Sequence, residues 1–209
     1  MRIEYTGHFA AEQKEYYDQD SPAEREKSVR DGVKERMSTA EVSGIKLENL
    51  TDPAKPLVLS YQVRVPGYAE RTGKRLFLQP AFFQYGLKPF FSAGERRHPI
   101  YFHYPWSEAD TVTIELPVGF DLDNAEAPAP FSAGNLSQYD VHIRFDRSSR
   151  ALVYNRDFLF GRGGYILFPS RGSKFSVQQV YEELKTLFDM LHERDSQTIA
   201  LKQVVSASK

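Results

Sequence analysis

From Leu57 to Val65 apolar residues stand at every second position: Leu57, Leu59, Tyr61, Val63 and Val65. A period of two lines up one face of an extended chain, so this run predicts a strand, the clearest in the sequence. Pro66-Gly67 ends it. Ile3, Tyr5, Gly7 and Phe9 alternate in the same way and predict a strand within residues 1–10. Val42, Ile45 and Leu47 predict another, closed by the turn-forming stretch 49–53. Further strands are predicted from Arg75 to Gln79, near 99–104, 110–116, 139–146 and 150–159, and from Thr198 to Val205. Strands at such short intervals, separated by turn residues, form the pattern of an antiparallel sandwich.

Two stretches follow a helical period instead. Ser21-Pro22-Ala23-Glu24 offers a capping serine, a proline at the first helical position and a glutamate that closes a capping box. Val29, Val33 and Met37 then recur four apart, a thin apolar stripe among Glu, Lys and Arg, which predicts a helix over 22–38 lying on a sheet surface. Ser176 and Gln179 form a second capping pair. Val177, Val180, Tyr181, Leu184, Leu187, Phe188 and Leu191 supply a broad apolar face, which predicts a firmly docked helix over 177–193. An aromatic crossing punctuated by Gly and Pro runs from 80 to 94, and Ala125–Pro130 (AEAPAP) reads as a short stiff connector. The class expected is α+β, mostly β: an antiparallel sandwich with two amphipathic helices. Two lobes, residues 1–75 and 76–209, are expected to share one continuous core.

Composition narrows the function. With 209 residues, 41% of them hydrophobic, the chain can bury a substantial core, and 12 Tyr and 15 Phe favour sheet. Lys and Arg number 27 against 28 Asp and Glu, and no basic face stands out in the sequence, so nucleic acid is not an expected partner. The absence of cysteine excludes thiol nucleophiles, disulfides and thiolate metal ligands from this chain. No run approaches the roughly 20 apolar residues of a membrane-spanning helix, so membrane insertion is not expected. MRIEYTGHFA has no apolar signal core; a chain opening directly on a strand is what a piece of a longer protein would look like.

The stretch Arg96–Phe120 concentrates His98, His103 and the single Trp106. On one strand, residues five apart point to opposite faces, so the two histidines cannot share a metal ion, and no other His or Cys stands at ligand spacing. Pro99 and Pro105 bracket that strand, and Trp106 is expected to cap the core. Asp121-Leu122-Asp123-Asn124-Ala125-Glu126 resembles the start of a calcium loop but lacks the ligands and glycine that follow, so a solvated turn after Gly119 is expected. Phe160-Gly161-Arg162-Gly163-Gly164 has neither P-loop spacing nor a following helix and leads into an extended Tyr165–Pro169; Arg162 and Arg171 could meet an anion, but a flexible turn is the expectation. His192-Glu193-Arg194-Asp195 looks faintly like a kinase loop but falls at a helix end without companion motifs. No G-x-S-x-G occurs, and His8 and His142 lie in strand-like runs without an Asp–Ser pairing. No catalytic, cofactor-binding or metal-ligating residue is therefore assigned.

One resemblance covers most of the chain. It rests on Leu57-Val58-Leu59-Ser60-Tyr61, on Leu76-Phe77-Leu78-Gln79-Pro80 before the aromatic crossing, and on the strand entry Arg97-His98-Pro99-Ile100. Asp110 to Gly119, read as D-x-V-x-I-x-L-P-x-G, follows, then the strand at Tyr139, the strand with Arg156-Asp157-Phe158, and the terminal helix with Tyr181. In order and spacing these resemble the segment after the catalytic core in bacterial transglutaminase-like proteins with flanking domains of unknown function. That family's chemistry uses Cys, His and Asp in a preceding core, and none of these roles carries over here. The resemblance implies a non-catalytic C-terminal module, a transglutaminase-like catalytic domain as partner in cis or in trans, and a periplasmic or cell-envelope location.

The leading expectation is an accessory domain that packs against or positions such a core. The alternative is an extracytoplasmic module binding an extended peptide or glycan through an aromatic surface of Phe82, Phe83, Tyr85, Phe90 and Phe91. Burial preferences favour a packing role for these rings.

Overall fold

The computed structural model describes residues 1–164 and 166–204, and the chain folds as two units, Met1–Tyr68 and Ala69–Lys209. In the first unit, strand β1 (Arg2–Tyr5) leads into helices α1 (Gly7–Asp18) and α2 (Pro22–Arg36), then strands β2 (Glu41–Glu48) and β3 (Leu57–Arg64). The strands form an antiparallel sheet ordered β1-β3-β2, with Leu59 opposite Ile3 on one side and Leu47 on the other. The predicted capping box of α2 is present: the Ser21 hydroxyl accepts from the Glu24 N–H, and the Glu24 carboxylate accepts from the Ser21 N–H. The stripe Val29, Val33 and Met37 is buried, together with Leu57, Leu59 and Tyr61 of the central strand. β2 is irregular between Ser43 and Lys46, where Gly44 takes φ +62°, a conformation cheap only for glycine.

Helix α1 replaces the extended chain expected after Tyr5, and the reason is physical. Thr6 supplies no side-chain cap and only Ala10 and Tyr17 of α1 are buried, so neither a start signal nor an apolar stripe marks it. The helix is held by its neighbours. Arg25 donates to the Tyr17 and Asp18 carbonyls, satisfying the end of α1. Lys14 Nζ donates to the Asp52 and Lys55 carbonyls at 2.5 and 2.6 Å.

The second unit contains β4 (Glu70–Thr72), β5 (Arg75–Leu78), a 3-10 turn at Phe82–Gln84, β6 (Ile100–Tyr101), β7 (Trp106–Glu115), β8 (Phe120–Asn124), β9 (Phe131–Ser132), β10 (Ser137–Asp146), β11 (Ala151–Phe160), β12 (Leu167–Phe168), α3 (Val177–Asp195) and β13 (Ile199–Gln203). Two four-stranded antiparallel sheets, β7-β11-β10-β9 and β4-β5-β13-β8, are accompanied by a separate two-stranded ladder of β12 and β6. Ile143 and Tyr154 of the first sheet meet Ile199 of the second around one small shared cavity. Alternation along β11 buries Leu152, Tyr154, Arg156, Phe158 and Phe160. Against that face lies α3, opened by the predicted box of Ser176 and Gln179, with Tyr181, Leu184, Leu187 and Phe188 buried. The class is the α+β, mostly β one that the pattern predicts.

Several details differ from expectation. The strand expected at 99–104 shrinks to Ile100–Tyr101, bracketed by Pro99 and Pro105, neither of which can donate to a ladder. The solvated turn expected at 121–126 is instead strand β8, because Asp123 is neutralised by Arg75 at 2.7 Å and Lys202 at 3.4 Å. The units divide at Tyr68 rather than after Arg75, since β4 and β5 pair with each other. The predicted extended Tyr165 and the predicted strand end at Val205 lie outside the described residues.

Leu184 is 2% exposed on the docked face of α3, and a carboxylate there has no partner to offset its desolvation. Leu184→Asp is expected to abolish cooperative unfolding or to aggregate. A soluble variant with an unchanged melting temperature would contradict the docking.

Candidate functional site

The strongest concentration of polar chemistry in the second unit is buried. Alternation along β11 puts Arg156 on the core face, where the residue is 2% exposed. Asp195 ends α3 one heptad beyond Phe188 and is 4% exposed. The two meet in a bidentate pair: Nε donates to Oδ1 at 2.7 Å and Nη2 to Oδ2 at 2.9 Å. Such forked geometry makes the strongest of side-chain hydrogen bonds. Tyr139, from β10, donates its hydroxyl to the same Oδ1 at 3.0 Å. Arg156 Nη1 turns the other way and donates to Glu108 at 2.8 Å and Asp110 at 3.1 Å, both on β7. Gln84 donates to Asp110, and Gln79 donates to the Asp195 backbone carbonyl. The guanidinium lies 5.6 Å from the Tyr139 ring centre and 5.7 Å from that of Phe158.

One cation thus faces three carboxylates. Burial pushes the Asp195 and Asp110 carboxyls above the ordinary Asp range, opposed in each by the Arg156 charge. Burial pulls Arg156 downward, but the Asp195 hydrogen bonds and charge outweigh it and hold the guanidinium ionised more firmly than usual. The Tyr139 hydroxyl is held far above its usual range by burial and by the Asp195 charge. This arrangement fixes groups in place. Arg156 bonds three carboxylates at once, which suits it to clasping α3 onto the sheet, and Tyr139 is locked as a donor.

The aromatic crossing serves the same helix. Phe90 stacks on Phe188 with centroids 4.5 Å apart, and Phe91 meets Phe188 and Tyr181 edge-on at 5.5 and 5.4 Å. Trp106 lies 4.6 Å from Phe160 and 6.2 Å from Phe188, beside the core ring Phe102. Lys185 donates to the Phe91 carbonyl, and the Tyr181 hydroxyl donates to that of Ala93. Of the five rings proposed as a ligand surface, Phe91 is buried, Phe82, Phe83 and Tyr85 are half-buried, and Phe90 is 56% exposed despite its stacking.

The remaining sequence candidates are scattered. His98 and His103 are both exposed, and the ring of Tyr101 lies 5.7 Å from that of His103. His8 lies in α1 rather than in a strand. His142 does have an acidic partner, Asp140 at 3.1 Å, but this pair is on the solvent side of β10 while Ser137 points into the core. Among the described residues, no group of three His, Asp or Glu side chains is placed to hold a metal ion. The Gly161–Gly164 stretch is a turn, as expected. The clasp itself escaped motif reading, because no motif encodes it. Its signals were an arginine in phase with the buried positions of a strand and an aspartate in phase with a helix's apolar face.

No family model matches the chain, and no curated protein or solved structure matches it either.

Removing one partner of a buried pair strands the other's charge, at a cost of about 3–5 kcal/mol. Asp195→Ala is expected to destabilise the second unit by that order in denaturant titration. The double variant R156L/D195L is expected to cost clearly less than the sum of R156L and D195L, because the shared Arg156–Asp195 interaction is lost only once, although Glu108 and Asp110 still lose their cation. Additive losses would contradict a coupled clasp.

Proposed function

We propose that this chain is a non-catalytic accessory domain whose task is to pack against and position a neighbouring catalytic domain. One observation carries the reading. The conspicuous chemistry of the sequence, the aromatic crossing and the buried charges, is spent on holding α3: Phe90 and Phe91 on Phe188, Lys185 and Tyr181 on backbone carbonyls, and Arg156 on Asp195. Side chains clamped in this way are poorly placed to follow a reaction coordinate, and they suit a rigid module. The resemblance to segments that follow transglutaminase-like cores supports a catalytic domain of that kind as the neighbour, in cis or in trans, and a periplasmic or envelope location.

The reading is tested by cross-linking the chain in its native cells and identifying what it contacts. A protein or preceding segment with a Cys–His–Asp core is the expected product, and the isolated chain is expected not to transamidate or hydrolyse glutamine peptides. Turnover by the isolated chain, abolished by a point substitution, would overturn it.

The alternative, an aromatic ligand platform, keeps one observation in its favour: Phe90 and Leu87 are 56% and 46% exposed. Trp106 reports on it directly, since its ring stacks 6.5 Å from that of Phe90. Titration with extended peptides or glycans is expected to leave Trp106 fluorescence unchanged. A saturable shift lost in Phe90→Ala would favour the platform.

A further inference from the structure

The ladder of β6 and β12 brings together loops that are distant in sequence. Tyr101 pairs with Leu167 and Ile100 with Phe168 in antiparallel register, so the chain enters β6 and leaves β12 at the same end. Pro99 and Pro169 therefore emerge side by side, at the roots of segments 94–99 and 169–175. These segments carry Arg96, Arg97, Arg171 and Lys174, all exposed, with Glu95 as the only carboxylate. Among the described residues none of these four cations enters an ion pair. The sequence hides this concentration, because it is split between two segments in a chain of net charge −1.

Two further features share that end. α3 begins there, and Gln178 in its first turn fastens the first loop, accepting from the Arg96 N–H at 2.8 Å and donating to the Gly94 carbonyl at 3.4 Å. The first turn of α3 contains no acidic residue, so the partial positive charge of its N-terminal end adds to the cations. Beside the cations stand large exposed rings: Phe175, directly after Lys174, is 60% exposed, and Tyr101 is 59% exposed on the side of β6 away from buried Phe102.

We propose that this pair of loops binds an anionic phospholipid surface, with Arg96, Arg97, Arg171 and Lys174 on lipid phosphates and Phe175 and Tyr101 seated at headgroup level. Cations flanked by amphipathic rings are the chemistry of peripheral membrane anchors. The surroundings favour a flat anionic interface over a nucleic-acid strand. Past Phe175 the surface continues over Glu182 and Glu183 of α3, where a strand tracking beyond the loop tips would meet like charge. The inference is independent of the accessory reading, and either can fail alone.

The test is co-sedimentation of the full chain with vesicles of phosphatidylcholine alone and of an equal mixture with phosphatidylglycerol. Binding is expected to the mixed vesicles only, and to weaken as salt is raised. R97E/R171E is expected to lose at least about tenfold in binding with an unchanged melting temperature, because both side chains are exposed. Phe175→Ala is expected to weaken binding further, and R147E, at the remote β10–β11 turn, to leave it intact. Failure to bind the anionic vesicles would overturn the proposal. So would equal losses in R97E/R171E and R147E, or binding confined to a single-stranded oligonucleotide.

Discussion

The second unit depends on a buried forked pair, the Arg156 guanidinium gripping the Asp195 carboxylate across the junction of strand β11 and the end of helix α3. A carboxylate is poorly placed at a helix C-terminus, where the aligned peptides already present partial negative charge. Burial makes its position worse. The arrangement persists because Arg156 and Tyr139 together engage both oxygens of the carboxylate, while Gln79 satisfies the backbone carbonyl of the same residue. Everything N-terminal on α3 follows from this fixed end. Leu184, Leu187 and Phe188 are apolar and could pack in neighbouring rotations, whereas the forked pair requires the rotation that brings Asp195 to Arg156. Hydrophobic burial is non-directional, whereas the polar pair has a fixed geometry, and on this account the pair sets the helix's register.

The same constraint organises the crossing between the two halves of this unit. Gln84 hydrogen-bonds Asp110, which shares Arg156 with Glu108, so the 3-10 turn at Phe82–Gln84 is tied to the network that holds the helix. From there the chain runs along α3, giving up carbonyls to Lys185 and Tyr181 and rings to Phe188. A segment that looks in sequence like a candidate recognition loop also straps α3 down. The chemistry of this strap is directed inward, whereas the four cations of the β6–β12 end are exposed and, among the described residues, enter no ion pair.

Much of this architecture was legible beforehand. Both capping boxes, the alternation through Leu57–Val65 and the apolar face from Tyr181 to Phe188 are local patterns, and local patterns survive folding. What stayed hidden was set by distant partners. Helix α1 has no cap and few buried residues; the carbonyl-binding side chains of Lys14 and Arg25 hold it. Strand β8 reads as a solvated acidic turn until Arg75 and Lys202 are placed beside Asp123. Arg156 and Asp195 read as ordinary surface residues unless their phase against buried neighbours is counted, and neither helix nor strand alone reveals that they meet.

Hydrogen exchange at the Arg156 side-chain Nε–H, followed by NMR alongside the backbone amides of β11, tests the central claim most directly. If the clasp sets the register of α3, that proton can exchange only when the unit opens as a whole, and its protection should equal that of the slowest β11 amides. Exchange orders of magnitude faster than those amides would mean that the pair opens locally while the sheet stays closed, and that packing alone positions the helix.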